Sequence, residues 1–445
     1  MDKYLLHYAE PETGALDGLA KSRHGPDPWS NVVVIPACNE SPGLLRRMPP
    51  CDGRCLLILV VNQPIGAPRH VESKNRQLAA AVNTQFTKVW ESAPSDSNFA
   101  LNLFQDPSTE RDVLLVDRFS PGRELPRKGG VGLARKIGAD LAAGLIHRGH
   151  IGSDWIHCTD ADVFLPSTYF RCLEKRIGNG TEYSALTYPF RHCAKDRLPG
   201  TDELLRATWL YELSLHYYVA GLRWAGSPYA FHTIGSTMAI NAVHYAKVRG
   251  FPRREAGEDF YLLNKLAKVG PVRELEADDG CKPIQITARL SDRVPFGTGA
   301  AVTAITQLQD PLEDYRYYDP AVFNLIRQWL RGWPGLWRSH STALTHFSPE
   351  LAAGLEAIGT EKALRHAFAH SGEERQFKRH MDTWFDAFRT LKLIHFLRGA
   401  YFPSIQMAEL EEGPLFHEFL SCESGLRLSH RRLIHNFRQD LALGT

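Results

Sequence analysis

The chain has 445 residues, enough for two or three domains around a large core. A composition of 43% hydrophobic and 23% charged residues excludes a fibrous or disordered polymer. A formal net charge of +2, from 52 basic and 50 acidic residues, excludes the broad basic surface of a general nucleic-acid binder and leaves room only for a local basic pocket. No run approaches the roughly 18 apolar residues of a membrane-spanning helix. The opening MDKYLLHYAEPETG has no apolar core or cleavage site of a secretory signal. Eight cysteines are scattered without a Cys-x-x-Cys spacing, so the chain reads as a cytoplasmic protein with reduced thiols. Asn179-Gly180-Thr181 matches a glycosylation sequon and, without a secretory signal, reads as a plain turn.

In chain order, residues 1–30 read as an irregular arm. NVVVIPA (31–37) is a short β-branched run and predicts a buried strand, after which Asn39-Glu40-Ser41-Pro42 starts a helix through GLLRRM. CLLILVVN (55–62) predicts a second buried strand, 69–91 a helix, and SAPSDSN a loop. DVLLVDRF (112–119) predicts a third strand and DWIHCTD (154–160) a fourth, separated by an amphipathic helix over 130–149. Beyond them come a strand over 183–190, a helix over 203–223, a strand and helix within 232–251, a helix from 257, and a last strand over 283–291. From about 300 onward the pattern is helical, with Trp329, Trp333, Trp337 and Trp384 as packing residues. Alternating strands and helices predict an α/β fold with a mostly parallel sheet, whose ligands sit at strand carboxyl ends. The expected organisation is an arm over 1–30, an α/β domain over 31–303 and a helical region over 304–445.

Four constellations carry chemistry. Asp160 and Asp162 stand where the fourth strand ends, and two such carboxylates suit Mg²⁺ or Mn²⁺, although an Asp-x-Asp turn is the plain alternative. In RKGGVGLARKIG (127–138), glycines at a helix start admit backbone N–H groups to an anion, with Lys128, Gly132 and Arg135 as candidate contacts. A solvated basic face is the bland alternative there. Glu258 and Asp259 in AGEDF are adjacent carboxylates near a helix start, one of them suited to act as general base, or both simply favoured by the helix dipole. Arg293 in LSDRVPFGTG sits on a Gly-rich loop and suits a phosphate clamp or a tight connection.

The order of these pieces resembles family 2 glycosyltransferases of the GT-A fold. VVVIPACNE (32–40) is similar to that family's opening strand and P-x-x-N-E loop, GVGLARKIGAD to its Gly-x-x-x-Ala-Arg-Asn-x-Gly helix, and CTDADV stands in the place of its Asp-x-Asp motif. IGSTMAINAVHYAKVRGF resembles the acceptor-side segment, and GEDF stands where the family carries its x-Glu-Asp base. The resemblance spans 31–260 and implies a GT-A Rossmann-like mixed sheet with an added C-terminal helical region. It implies that Pro36, Ala37, Asn39 and Glu40 lie beside the donor nucleotide, with Asp160 also on the donor; the Asn62 amide, where the family commonly has an acidic residue, can still bond base or ribose. It implies that Asp160 and Asp162 hold Mn²⁺ or Mg²⁺, that Asp259 is the base, and that Glu258 helps orient the acceptor.

The expected activity is metal-dependent, hexosyltransferase-like transfer of a sugar from a nucleotide-sugar donor to a hydroxyl acceptor, with inversion. The alternatives are a nucleotidyltransferase that makes nucleotide sugars, and a catalytically inactive sugar-nucleotide-binding scaffold. Neither nucleic acid nor a membrane span is expected, and the helical region leaves a homo-oligomer open. The chain departs from the family at Val61-Asn62-Gln63-Pro64, where an acidic pair is common, and at Lys136, where Asn is usual. It also has no His over 281–299 for a late metal ligand.

Overall fold

The computed structural model describes residues 1–19, 27–47, 51, 53–92, 98–106, 110–177, 182–194, 201–276, 280–290 and 297–443. The sequon at 179–181 lies outside them. The chain divides into two compact units, Met1–Lys195 with Thr233–Thr287, and Asp196–His232 with Ala288–Thr445.

The first unit is a mixed α/β layer. Its strands are β1 Asn31–Ala37, β2 Cys55–Asn62, β3 Thr87–Glu91, β4 Ala100–Asp106, β5 Arg111–Arg118, β6 Trp155–Cys158, β7 Val163–Phe164, β8 Ala185–Thr187, β9 Phe190–Cys193, β10 Met238–Asn241, β11 Val272–Glu274 and β12 Ile284–Thr287. Nine of them form one sheet in the order β11-β8-β10-β6-β1-β2-β5-β4-β3, in which β4 and β10 run against the rest. Every residue of β1 and of β2 is buried, as expected for parallel strands covered on both faces. Helix Gly130–His147 packs against β1, β2 and β6. Its Gly138 lies so close to Val34 and Val60 that a methyl group there would overlap them.

Several local expectations change. Residues 69–91 are not one helix, because the helix ends at Gln85 and Thr87–Glu91 is edge strand β3. β4 is a strand that no sequence signal had indicated. Its pairing with β5 supplies the partner that its mixed sequence ALNLFQD does not advertise. The helix expected after Asn39 is a single 3₁₀ stretch, Pro42–Arg46. The arm is ordered as helix Asp2–His7 and 3₁₀ stretch Pro11–Leu16.

That order has a polar cause. Asp140, on helix Gly130–His147, is fully buried. Its carboxylate accepts from Lys136 Nζ at 2.7 Å, Tyr245 Oη at 2.7 Å, the Glu10 N–H at 2.8 Å, and Tyr4 Oη. Glu10 in turn accepts from Arg253 Nε at 2.8 Å. Lys136, which departs from the resembled motif, is therefore the cation that neutralises Asp140 beneath the arm.

A smaller sheet, β7-β12-β9, holds the chain just after Asp162. Ile286 pairs with Val163, and the N–H and hydroxyl of Thr287 donate to the Asp162 carbonyl at 3.3 and 2.7 Å. Buried Cys172 and Cys281 form a disulfide, which corrects the expectation of reduced thiols throughout. Their 109-residue separation hides the pairing from any spacing rule. Because disulfides persist in oxidising surroundings, thiol content no longer points to the cytoplasm. No helix among the described residues is long and apolar enough to cross a membrane.

The second unit is helical, from Thr201–Ala225 through the helices of 298–443. Its core joins Leu210, Leu213 and Tyr217 to Phe323, Trp329, Trp333, Phe377 and Phe419, with Trp337 and Trp384 half-buried against it. Helix Thr201–Ala225 thus packs with helices that follow it by a hundred residues.

Replacing Asp140 by Ala removes the acceptor shared by four donors and leaves Lys136 buried without its carboxylate. We expect a loss of about 3–5 kcal/mol in chemical denaturation. Unchanged stability would show that the arm is held by apolar contacts instead.

Candidate active site

The parallel strands β6, β1, β2 and β5 end side by side, and the chain leaves them as Thr159-Asp160, Cys38-Asn39, Gln63 and Phe119. Ligands of open α/β sheets sit at such an edge. The β1 exit is held tightly. Asn39 adopts a left-handed backbone, φ 61°, which Asn tolerates better than most residues. Its N–H donates to Asn75 Oδ1 at 3.0 Å. Asn75, fully buried on helix Arg69–Gln85, also donates to the Asn62 carbonyl at 3.0 Å and to Gln63 Oε1 at 3.3 Å. Sequence reasoning missed Asn75, although a signal exists. It interrupts the buried stripe Val71, Leu78, Val82, so an amide stands where the helical period calls for an apolar side chain.

The expected donor-side residues fall into groups. Pro36, Ala37 and Glu40 are buried and Asn39 is exposed, all at the β1 exit. The Asn62 amide donates to the Ala37 and Val60 carbonyls at 3.2 and 3.0 Å, tying the two strand ends together. Lys128 is exposed on the turn before helix Gly130–His147. The Gly132 N–H donates to the Arg254 carbonyl at 3.1 Å, and a side chain at Gly132 would collide with the backbone of 252–254. That glycine lets the segment leading to Glu258 lie on the helix start, and its N–H is engaged by protein. Arg293 lies outside the described residues.

Arg135 joins the two acidic motifs. It is buried, 2% exposed, and its terminal nitrogens donate to Asp160 Oδ1 and to Glu258 Oε1. Burial opposes its charge, and the carboxylates of Asp160 and Glu258 more than offset that, so it stays a cation. Glu258 and Asp259 occupy the first turn of helix Glu258–Leu266, where the helix dipole favours negative charge. Gly257 precedes them at φ 72°, a turn that suits glycine. Asp259 Oδ1 accepts the Phe260 N–H at 2.7 Å. Burial, and then the neighbouring Glu258 charge, push its carboxyl up to about 7. A carboxyl poised there can take a proton near neutral pH.

Asp117, next to last in β5, was not singled out by sequence. Its carboxylate is spent on the following turn, accepting from the N–H groups of Phe119 and Ser120 and from Arg123 Nη1 at 2.8 Å.

Among the described residues, no group of three or more His, Cys, Asp or Glu side chains is placed to cage a metal. Mg²⁺ and similar ions need no such cage. They are commonly held by one or two carboxylates, with waters and ligand phosphates completing the shell. The Asp160 side chain gives one oxygen to Arg135 and is 36% exposed, and Asp162 is half-buried two residues beyond it. Arg135 takes one Asp160 oxygen and leaves the other, and Asp162 follows on the same turn. The donor set therefore fits a divalent ion shared with a ligand.

Comparison with known protein families finds no match, and comparison with curated proteins finds none. Among solved structures, the chain is similar to the mannosyltransferase PcManGT from Pyrobaculum calidifontis in complex with GDP-Man and Mn²⁺. The identity is 15% and the TM-score 0.34, over 97% of this chain and 95% of that one. That score is too low to transfer a fold or an activity.

Asp259 binds a proton more tightly when folded than when unfolded, so its ionisation costs stability as pH rises from about 4 through about 7. Asp259→Asn should therefore melt higher than the parent at pH 8, with the gain shrinking toward pH 4. Thermal melts across that range check this, and a gain independent of pH would reject the raised value.

Proposed function

We propose that the chain is a GT-A-type glycosyltransferase that moves a sugar from a nucleoside-diphosphate donor to a hydroxyl acceptor. The observation carrying this reading is the Arg135 bridge between Asp160, at a strand carboxyl end, and Glu258, beside a carboxyl poised near neutrality. Chemistry of this kind needs a site for an anionic leaving group next to a base.

In the proposed reaction the acceptor oxygen attacks the anomeric carbon while Asp259 takes its proton. The bond from that carbon to the diphosphate oxygen breaks, and its electron pair leaves with the nucleoside diphosphate. A single base and a direct displacement correspond to inversion. Asp259 is made basic by burial and then by the neighbouring Glu258 carboxylate, which Arg135 holds in place. Asp160 and Asp162 would hold Mn²⁺ or Mg²⁺, which supplies Lewis-acid stabilisation of the leaving diphosphate when bound. Pro36, Ala37, Asn39 and Glu40 border the nucleotide, and the Asn75 hydrogen bonds keep their loop in one shape.

Purified protein with Mn²⁺ should slowly release nucleoside diphosphate from one member of a panel of GDP-, UDP- and ADP-sugars, GDP-mannose among them. Asp259→Asn should lower kcat about 10²–10⁴-fold with donor binding retained. The rate of the parent should rise with pH to a plateau above about 7. Asp162→Ala should remove the metal dependence of donor binding. Metal-dependent donor binding without turnover under any acceptor would favour an inactive scaffold.

A further inference from the structure

The sequence offers several cations for a diphosphate, and the fold disposes of the most prominent. Arg135 is buried with both terminal nitrogens on carboxylates, so an incoming anion meets a guanidinium already neutralised. Lys128 is exposed on its turn. A small, open cleft lies against the ends of β1 and β6, lined by Ile35, Leu44, Thr159, Asp160 and Arg47 among others. Among the described residues lining it, Arg47 is the one cation.

Arg47 follows the 3₁₀ stretch Pro42–Arg46 and is half-buried. Its Nη1 donates to the Ala161 carbonyl, between the two aspartates, at 3.3 Å. The guanidinium stands over the Phe164 ring, 4.5 Å from the centroid. Phe164 lies in β7, paired with β12, so this anchor belongs to the sheet that holds the Asp160–Asp162 turn. A carbonyl and an aromatic face fix the position of a guanidinium without cancelling its charge. The bond to Ala161 uses one of five N–H donors, leaving the others for an anion, and a planar fork suits phosphate oxygens bidentately.

We propose that Arg47, and not Arg135, receives the diphosphate of the donor, while Arg135 remains the counter-ion that holds Asp160 and Glu258 together. This rests on the glycosyltransferase reading. When the anomeric carbon–oxygen bond breaks, the electron pair moves onto the diphosphate oxygen and the acceptor proton moves to Asp259. Arg47 meets the charge that develops on the diphosphate side.

Equilibrium binding of GDP, UDP and ADP, each with Mn²⁺, and of the corresponding nucleosides, tests the assignment by calorimetry. Arg47→Gln should weaken the preferred nucleoside diphosphate about 10- to 100-fold, with Arg47→Lys losing less because it keeps the charge but not the fork. Lys88→Gln, on the exposed edge strand β3, should bind as the parent does. Nucleoside binding should be the same in parent and Arg47→Gln, which separates a lost phosphate contact from a collapsed site. Far-UV spectra and melting temperatures verify that each variant is folded, and Arg47→Lys carries the test if Arg47→Gln is not. A parent that binds a nucleoside diphosphate, with Arg47 variants that bind it equally well, would overturn the role of Arg47 and leave the glycosyltransferase reading standing. A parent that binds no nucleoside diphosphate or nucleotide sugar would overturn that reading and this role together.

Discussion

A guanidinium buried with two carboxylates governs the candidate site. Removing Arg135 from water costs several kcal/mol, and so does burying Glu258; only close, well-directed hydrogen bonds between them repay that cost. The bridge therefore demands that three elements stay in register: helix Gly130–His147, the turn after β6, and the start of helix Glu258–Leu266. Beside the bridge, burial and then the Glu258 carboxylate raise the Asp259 carboxyl to about 7, while Arg135 itself pulls it the other way.

The scaffold around the bridge explains how that register is kept. Helix Gly130–His147 is packed to the sheet through Gly138 on one turn, and its start receives the 252–255 segment through Gly130 and Gly132. On its buried flank, Lys136 and Asp140 gather Tyr4, Glu10 and Tyr245, and Glu10 reaches Arg253. The N-terminal arm is thus linked by hydrogen bonds to the segment that delivers Glu258. On the opposite side of the aspartate turn, β7, β12 and the Cys172–Cys281 disulfide restrain the chain that follows Asp162. Polar groups outside the proposed chemistry set the position of those placed in it.

Much of the fold was legible because buried parallel strands advertise themselves. NVVVIPA and CLLILVVN are continuous apolar runs, and each is a strand over its full predicted length. β3 and β4 were not legible for the opposite reason. Thr87–Glu91 is an exposed to half-buried edge, and Ala100–Asp106 mixes polar and apolar residues, so neither period stands out. The site was legible as a set of motifs but not as a set of partners. Arg135 looked like an anion-binding cation, and burial made it a carboxylate bridge. Gly132 looked like an anion cradle, and its N–H met a protein carbonyl. Asn75 and Arg47 belong to no motif and became visible only through what they touch.

By itself the sequence determined the alternation of strands and helices, the positions of the acidic pairs at element ends, and the helical character of the C-terminal part. These follow from local periodicity and from the chemistry of residues close together in the chain. Tertiary structure alone decided that Asp160 and Glu258 share one guanidinium, that Lys136 serves a buried aspartate, that Cys172 meets Cys281, and that Arg47 faces the cleft. Each of those is a contact across a long stretch of chain, where burial rather than spacing selects the partner. A charge removed from water must find its counter-charge wherever the packing brings one.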